Sequence, residues 1–393
     1  MKRRLAATVF ALLVLMALVL SLAGPALGKT ADRPTEPAAR KIVVFQDWIV
    51  NQAAQDILLD RTGAVKLKHL PLINAAVVLA GPSNERALQQ MPEVLRVDED
   101  ALVYIQAKPP KPPPTPPAEA LPWGVDRIDA DLVWASNTGV GVKVAVLDTG
   151  IDLKHLDLSV AGGTNTINPL KSANDDNGHG THVAGIIAAL DNEIGAVGVA
   201  PGVSLYAVKV LNRRGSGFTS DIIEGVQWSI ANGMQVVNMS FGTASDVQSF
   251  HDALIAAYNA GIVLVAATGN SGPADNTVLY PAKYAEVIAV SATDSADTVA
   301  SFSSRGPQVE LAAPGISIFS TYKGNSYATL SGTSMASPHV AGTAALVIAS
   351  GQSGVRAILQ ATADDLGDTG WDNLYGYGLV DAQEAATGVQ TLP

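Results

Sequence analysis

Three side chains in the sequence belong to the types that together perform nucleophilic catalysis. Asp148 follows the apolar run 144–147 in Asp-Thr-Gly, His179 lies in His-Gly-Thr-His, and Ser334 lies in Gly-Thr-Ser-Met-Ala. A hydroxyl becomes a nucleophile when an imidazole removes its proton, and a carboxylate can orient that imidazole. Each residue alone has a simpler interpretation: a polar strand end for Asp148, a capping or packed histidine for His179, and a helix N-cap for Ser334.

A fourth side chain, Asn270, could serve the same chemistry by binding negative charge. It follows the apolar run 263–267 in Thr-Gly-Asn-Ser-Gly. A side-chain amide can donate to the oxyanion that forms when a carbonyl is attacked. Ser334 is predicted to stand where a helix begins, and free N–H groups there favour negative charge as well. The simpler interpretation of Asn270 is a turn asparagine.

These motifs resemble the signatures of the subtilisin-type serine proteases, and they occur in the family's order of Asp, His and Ser. The resembling stretches are 148–150, 179–185 and 332–339. The resemblance covers about residues 118–388 and implies a secreted serine endopeptidase that works through an acyl-enzyme. It assigns the nucleophile to Ser334, the proton transfer to His179 and the orientation of the imidazole to Asp148. Asn270 and the backbone N–H of Ser334 would hold the oxyanion.

By the same resemblance, two stretches of backbone flank an extended polypeptide substrate, which would bind as an added strand. The stretches are Gly215, Ser216 and Gly217 on one side and Ser240, Phe241 and Gly242 on the other. Backbone recognition makes modest demands on substrate sequence. Leu279 departs from the common pattern, because relatives often have glycine there at the floor of the main specificity pocket. We expect a shallower pocket that disfavours large aromatic side chains.

A structural calcium ion is the cofactor that the resemblance implies. The residues that resemble the family's site are Glu119, Asp157, Leu190, Asn192, Ile194 and Ala196. Carboxylate, amide and backbone carbonyl oxygens are ligands that suit calcium. Relatives usually have glutamine at the position of Glu119. The alternative interpretation is a solvated acidic loop. The sequence contains no Cys, so disulfides cannot stabilise an exported form of the protein.

The elements that must position these residues alternate between strand and helix. Short Val/Ala/Ile-rich runs predict strands at 143–148, 205–211, 236–241, 262–267 and 287–291. Helical patterns are predicted at 182–190, 221–232, 247–260 and 336–349. Apolar runs without polar alternation are typical of strands buried on both faces, which pair in parallel. The fold class is therefore α/β, with a mostly parallel sheet between helical layers, and ligands collect at the carboxyl ends of such strands.

A smaller unit precedes this domain, and a proline-rich linker at 107–117 separates the two. Within 40–106, strands are predicted at 41–45, 75–79 and 101–105 and helices at 52–60 and 84–91, which suits a small ferredoxin-like α+β module. Residues 1–117 carry 14 basic and 10 acidic side chains, whereas 118–393, the peptidase domain, carry 11 and 26. The module resembles the family's inhibitory propeptide, which implies that its last extended stretch lies in the active-site cleft and that processing falls between Gln106 and Ala118. Its positive balance would favour docking on the acidic domain. An independent binding domain is the alternative.

The first 28 residues predict a secretory signal peptide. Lys2, Arg3 and Arg4 precede an apolar run at 5–22, and small residues follow at 26–28. The alternative is a membrane anchor, because the run just reaches spanning length. The net charge of −11 argues against binding to nucleic acid or to an anionic membrane surface. The expected product is an extracellular monomer.

Other classes of site are less consistent with the sequence. A second Asp-Thr-Gly at 368–370 could indicate an aspartic protease, but it follows an acidic, turn-like stretch. Gly139 and Gly141 precede a strand, whereas a phosphate-binding loop follows one. His179 and His182 lack the glutamate and the spacing of a zinc-protease helix.

Overall fold

The computed structural model describes residues 37–107 and 117–389, in which strands and helices alternate along most of the chain. The strands are β1 Ala39–Phe45, β2 Val65–Leu70, β3 Ala75–Ala80, β4 Val94–Glu99, β5 Leu102–Ile105, β6 Lys143–Asp148, β7 Val160–Asn165, β8 Ser204–Lys209, β9 Ser216–Phe218, β10 Val236–Met239, β11 Phe241–Gly242, β12 Val263–Ala267, β13 Val287–Thr293, β14 Leu311–Pro314, β15 Ile318–Tyr322 and β16 Ser326–Leu330. The helices are α1 Gln52–Thr62, α2 Pro82–Gln89, α3 Trp123–Arg127, α4 His179–Ala188, α5 Thr219–Ala231, α6 Gln248–Asn259, α7 Thr333–Ala349, α8 Val355–Ala361 and α9 Ala382–Thr387.

A seven-stranded sheet forms the centre of the larger domain, in the order β14-β13-β12-β10-β6-β8-β7. All its neighbouring strands pair in parallel. Successive side chains of a strand point to opposite faces. Val144 and Val146 accordingly pack in one core with α4 and α7, whereas Ala145 and Leu147 pack in another with α5 and α6. The predicted α/β fold with a parallel sheet between helical layers is confirmed.

The sheet brings polar residues from adjacent strands to one edge. Asp148 ends β6, Ser240 follows β10 directly, and Asn270 comes three residues after the end of β12. Strands β6, β10 and β12 are neighbours in the sheet. Because parallel strands end at the same edge, these residues meet there, at the starts of α4 and α7.

The N-terminal module is an antiparallel sheet in the order β2-β3-β1-β4 with two helices. Val43 and Val78 face α1 and α2, where they pack with Leu59. The opposite face, including Val44 and Val77, joins the core that contains α5 and α6 of the larger domain. The module therefore packs on those two helices.

The sequence predictions differ from these elements in two ways. The strand predicted at 101–105 exists as β5, but it leaves the module's sheet and pairs with β9 and β11. Strands β2, β4 and β7 are not predicted from the sequence, since lysine, acidic residues or glycine interrupt their apolar patterns. Also absent from the predictions are the short strands β9, β14, β15 and β16 and the short helices α3, α8 and α9. The signal peptide predicted at 1–28, and most of the linker at 107–117, lie outside the described residues.

Candidate active site

Asp148 and His179 form a buried, hydrogen-bonded pair at the edge of the sheet. The imidazole Nδ1 lies 2.8 Å from Oδ1 and 2.9 Å from Oδ2 of Asp148. The Nδ1–H group therefore donates to the carboxylate, which leaves Nε2 as the acceptor nitrogen of a neutral ring. Nε2 is buried and has no hydrogen-bond partner within the described residues. The pair presents a base that is free to accept a proton at Nε2.

Ser334 lies in the first turn of α7, and its side chain is buried beside Ser240. Ser334 Oγ donates to the backbone oxygen of Ser240 at 2.9 Å, and Ser240 Oγ donates to the backbone oxygen of Ser334 at 2.9 Å. The hydroxyl of Ser334 is thus engaged with Ser240 and not with the imidazole. Two of the three predicted triad residues are hydrogen-bonded to each other, and the third lies at a helix start.

Asn270 contacts a carbonyl that comes from the chain's own N-terminal part. Its Nδ2 donates to the backbone oxygen of Gln106. Its Oδ1 accepts from the backbone N–H of Thr333 at 3.0 Å and from Thr333 Oγ1 at 2.9 Å, which fixes the direction of the amide. A Cβ atom at Gly332 would lie 2.8 Å from the same Gln106 oxygen, so this approach requires glycine. A peptide carbonyl is therefore held beside Ser334.

The segment that ends at Gln106 lies between the two predicted substrate-binding stretches. Strand β5 pairs antiparallel with β9 through Val103↔Gly217 and Tyr104↔Ser216. The backbone N–H of Ile105 extends this side by donating to the backbone oxygen of Gly215 at 2.9 Å. On its other side β5 pairs antiparallel with β11. An extended peptide thus fills the space between the two edge strands.

Comparison with known proteins identifies the family. Residues 139–378 match the Subtilase family. The chain is 50% identical to Subtilisin DY of Bacillus licheniformis over 276 residues, which are 68% of this chain and 100% of the relative. It is 47% identical to an Alkaline protease of Alkalihalobacillus alcalophilus over 311 residues, 78% and 77% of the two chains. It is 39% identical to Subtilisin amylosacchariticus of Bacillus subtilis subsp. amylosacchariticus over 389 residues, 95% and 97% of the two chains.

The chain belongs to the subtilase family. The predicted resemblance is confirmed, and the protein is a serine endopeptidase of the subtilisin type. The second Asp-Thr-Gly of this subtilase lies in an exposed turn at Asp368, away from the strand ends that carry Asp148. The described part of the subtilase contains no helix that is long and apolar enough to cross a membrane.

Leu279 of the subtilase lies between two glycines that border the cleft. A Cβ atom at Gly242 would lie 2.9 Å from Leu279 Cβ, and one at Gly269 would lie 2.8 Å from Leu279 Cδ1. The leucine side chain therefore occupies the space between these two segments.

The side chain of Gln106 points back along its own strand, because its Nε2 donates to the backbone oxygen of Tyr104 at 3.1 Å.

The residues predicted to bind calcium in this subtilase meet where the chain resumes after the linker. Ala118 and Ala120 form bridges with Ile194 and Ala196. Asp157 is buried, and its carboxylate accepts from the Ala196 N–H at 3.1 Å and from the Asn192 amide at 3.1 Å. Burial raises the pKa of Asp157 to about 6.

The predicted calcium-binding loop offers few charged side chains as metal ligands. Glu119 Oε2 accepts from the backbone N–H of Asn192 at 2.6 Å, and the Leu190 N–H donates to the backbone oxygen of Asp157 at 3.1 Å. Within residues 37–107 and 117–389, no group of three or more His, Asp or Glu side chains could hold a metal. Any cation here would depend on backbone and amide oxygens beside the two carboxylates.

The subtilase also has a contact that the sequence does not predict. Helices α5 and α6 begin after Phe218 and Val247, which provide no side-chain cap. Asp100 of the module accepts from the Ser220 N–H at 2.9 Å, and Asp98 accepts from the Ser249 N–H at 3.1 Å. Carboxylates at helix N-termini satisfy free N–H groups and interact favourably with the dipole. The sequence contains one signal for this contact: Phe218 and Val247, which directly precede the observed helices, are apolar and have no side-chain oxygen to cap them.

Basic side chains of the module add to this interface. Lys68 Nζ lies 2.6 Å from Asp221 Oδ1 and 2.8 Å from Glu224 Oε2, and Arg96 pairs with Asp252. The complementary charge that the sequence indicates for the two parts is thus expressed in direct ion pairs. The module and the peptidase domain are joined by capping, ion pairs and apolar packing together.

Proposed function

We propose that Ser334, His179 and Asp148 form the catalytic triad of this serine endopeptidase. Ser334 Oγ attacks the substrate carbonyl while His179 Nε2 takes the hydroxyl proton, and the imidazolium later returns that proton to the leaving amine. Asp148 holds Nδ1–H and stabilises the imidazolium. Water then hydrolyses the acyl-enzyme with the same base. For attack to begin, Ser334 Oγ must turn from Ser240 to Nε2, which has no other partner among the described residues.

Asn270 and the backbone N–H of Ser334 would stabilise the tetrahedral oxyanion. The hydrogen bond from Asn270 to the Gln106 carbonyl is the single observation that carries this proposal. A donor already directed at a carbonyl beside the nucleophile requires no reorganisation when charge develops. Labelling with a serine-directed organophosphate tests the assignment of Ser334 as the nucleophile. We expect modification of Ser334 and complete inhibition, whereas inhibition only by a pepsin-type inhibitor would contradict the triad.

Polypeptide substrates would bind as β5 does, between Gly215–Gly217 and Ser240–Gly242. The backbone pairing of β5 with β9 and β11 supports this mode. Main-chain hydrogen bonds give affinity without a strict sequence requirement, so the enzyme acts broadly on extended chains. Leu279 narrows the main pocket and directs cleavage toward smaller side chains.

The module at 40–106 would be an inhibitory propeptide that the enzyme removes from itself. The Gln106 carbonyl lies at Asn270, so the bond between Gln106 and Ala107 is the one presented to Ser334. We expect the N-terminus produced by self-processing to be Ala107, the first residue of the proline-rich linker 107–117. Mass spectrometry of the processed protein tests this directly, and a first cut elsewhere would contradict it. An independent binding domain would stay attached after the enzyme becomes active.

Calcium would be a structural ion in the loop at 190–196. The oxygen atoms available in this loop are of the kinds that calcium binds. They belong to the carboxylates of Asp157 and Glu119, the amide of Asn192, and the backbone carbonyls of Leu190, Ile194 and Ala196. A bound cation would neutralise a buried charge and stabilise the folded state by mass action. It would take no part in the chemical step.

The enzyme would be exported and act outside the cell as a monomer, once residues 1–28 have been removed as a signal peptide. The basic start of that segment, its apolar run and the small residues that follow support this location. N-terminal sequencing of secreted, inactive Ser334→Ala precursor tests it: we expect a start close to residue 29, and a start before residue 20 would contradict removal of the signal.

A further inference from the structure

Asp175 is a buried carboxylate to which the catalytic roles above assign no task. It is 5% exposed. Its Oδ1 accepts from Thr149 Oγ1 at 2.9 Å, from the Asn177 N–H at 2.8 Å and from the Gly178 N–H at 2.9 Å. Its Oδ2 accepts from the Thr181 N–H at 3.0 Å and from Thr181 Oγ1 at 2.6 Å. One side chain therefore binds both the loop after β6 and the first turn of α4.

The groups that Asp175 binds are next to Asp148 and His179 in the chain. Thr149 follows Asp148, and its N–H donates to Asp148 Oδ1 at 2.7 Å. Thr149 Oγ1 also accepts from the Gly180 N–H at 2.9 Å, directly after His179. Thr149 is thus hydrogen-bonded to Asp175, to the carboxylate that holds the imidazole, and to the turn that carries the imidazole.

We propose that Asp175 is a positioning residue that fixes the carboxylate of Asp148 against the imidazole of His179. This inference rests on the triad roles proposed above. A helix cap alone would need only the bonds to Asn177, Gly178 and Thr181. The bond to Thr149 extends the network to β6 and links the two elements that the Asp148–His179 hydrogen bond must align. Displacement of one of them would lengthen that bond and weaken stabilisation of the imidazolium.

Other ionisable groups lie next to this network on β8, β15 and α4. Lys209 of β8 donates from Nζ to the oxygen of Thr149 and pairs with Asp176. Tyr322 of β15 reaches the oxygen of Asn177, and His182 of α4 is buried. Burial raises the pKa of Asp175, and its hydrogen bonds to Thr181 and the backbone oppose this effect. None of these neighbours is changed in the experiments below.

The first experiment compares Asp175→Asn with Asp152→Asn. Asp152 is also buried and also accepts from backbone N–H groups, at Lys154, Gly324 and Asn325, but its carboxylate does not bind the turn of α4. For Asp175→Asn we expect kcat on a peptide substrate to fall about 10- to 100-fold, with KM little changed. The acid limb of kcat/KM, which reports the essential imidazole, should move to lower pH. Asp152→Asn should lose thermal stability only.

A second pair of variants decides the outcome if Asp175→Asn does not fold. Thr149→Val removes the hydroxyl that links Asp175 to Gly180 at constant shape, and Thr149→Ser keeps the hydroxyl. The rate of self-cleavage after Gln106 should fall in Thr149→Val and be restored in Thr149→Ser.

Two results would overturn the proposal. One is normal kcat with an unmoved acid limb in Asp175→Asn, and the other is equal self-cleavage rates in the two Thr149 variants. Failure of the triad assignment itself is distinguishable, because Ser334→Ala would then remain active.

Discussion

The side-chain amide of Asn270 donates a hydrogen bond to the backbone carbonyl of Gln106, 164 residues earlier in the chain. The contact joins the end of β5 to the loop after β12, next to the start of α7. The same carbonyl belongs to a segment that two edge strands hold in extended form. Under the self-processing proposed above, a segment bound in this way would be both the first substrate of the enzyme and an obstacle to any other substrate.

Replacing the nucleophile should separate folding from catalysis. We expect Ser334→Ala to be secreted and folded, with no peptidase activity and with the module still attached, because no hydroxyl remains to attack the Gln106 carbonyl. Intact mass and a peptide-hydrolysis assay check this. Ser136→Ala, at a serine remote from the cleft, is the matched control and should process normally. Turnover in Ser334→Ala would refute the assigned nucleophile.

Removing the Asn270 amide should affect turnover more than binding. We expect Asn270→Ala to lower kcat about 10²–10³-fold, which is the loss known for removal of the side-chain oxyanion donor in subtilisin, a member of the same family. KM should change little, because the charge develops only in the transition state. Steady-state kinetics on a peptide substrate test this, with Asn232→Ala at the end of α5 as the control. A loss confined to KM would show that the amide only binds substrate.

Shortening Leu279 should open the main specificity pocket. In Leu279→Gly the space between Gly242 and Gly269 becomes available, so we expect kcat/KM for a substrate with Phe before the cleaved bond to rise relative to Ala. A gain of about tenfold or more corresponds to burial of part of an aromatic ring. The ratio of kcat/KM for the Phe and Ala substrates is measured on the same enzyme preparation, so it needs no separate control for folding or concentration. Equal cleavage after Phe and Ala by the parent enzyme would contradict the shallow pocket.

Chelation should destabilise the folded protein through Asp157. In the Ser334→Ala background, where self-digestion cannot interfere, we expect EDTA to lower Tm and calcium to restore it. A hundredfold excess over Kd stabilises by about 2.7 kcal/mol, which is a shift of several degrees. Asp157→Asn should lose the response, whereas Asp191→Asn, at an exposed carboxylate of the same loop, should keep it. If EDTA left the Tm of the Ser334→Ala protein unchanged, the proposed calcium site would be excluded.

The sequence predicts the sheet and the residues at its edge because buried parallel strands have a distinctive pattern. The run 144–147 of β6 and the whole of β12 are continuous and apolar, β10 is interrupted only by Asn238, and each strand is followed by a polar residue. Strand β7, Val-Ala-Gly-Gly-Thr-Asn, lacks a continuous apolar run. It is a strand because its backbone pairs with β8, although its residues have low strand propensity. Propensity is a weak guide where tertiary pairing decides.

Other features cannot be predicted from local sequence because they join distant parts of the chain. Asp98 and Asp100 have the pattern of an ordinary acidic turn, and only the docked module shows that they cap α5 and α6. The sequence predicts a strand at 101–105, and the resemblance to a propeptide implies that this last extended stretch lies in the active-site cleft. The strands that it pairs with follow more than a hundred residues later, so only the structure shows its register. The hydrogen bond of the Ser334 hydroxyl to the backbone oxygen of Ser240 cannot be predicted from the sequence.

Two buried groups with opposite pKa shifts should shape the acid stability of the precursor. Burial lowers the pKa of His339 to about 4, against 6.5 for the free side chain, so the unfolded chain binds more protons between these values. The stability that neutral His339 contributes is therefore complete above pH 6.5 and is lost as the pH falls toward 4. Burial raises the pKa of Asp381 to about 6, so its effect runs the other way: the folded state gains stability as the pH falls below 6.

Comparing each group with an asparagine variant separates the two effects. In the Ser334→Ala background, the stability advantage of the parent over His339→Asn should shrink as the pH falls from 6.5 to 4, by at most about 1.4 kcal/mol per unit. The advantage over Asp381→Asn should grow over the same interval. Urea unfolding at each pH measures both differences. Parallel curves for parent and His339→Asn would mean that this imidazole does not ionise on unfolding, and its buried neutral state in α7 would have to be abandoned.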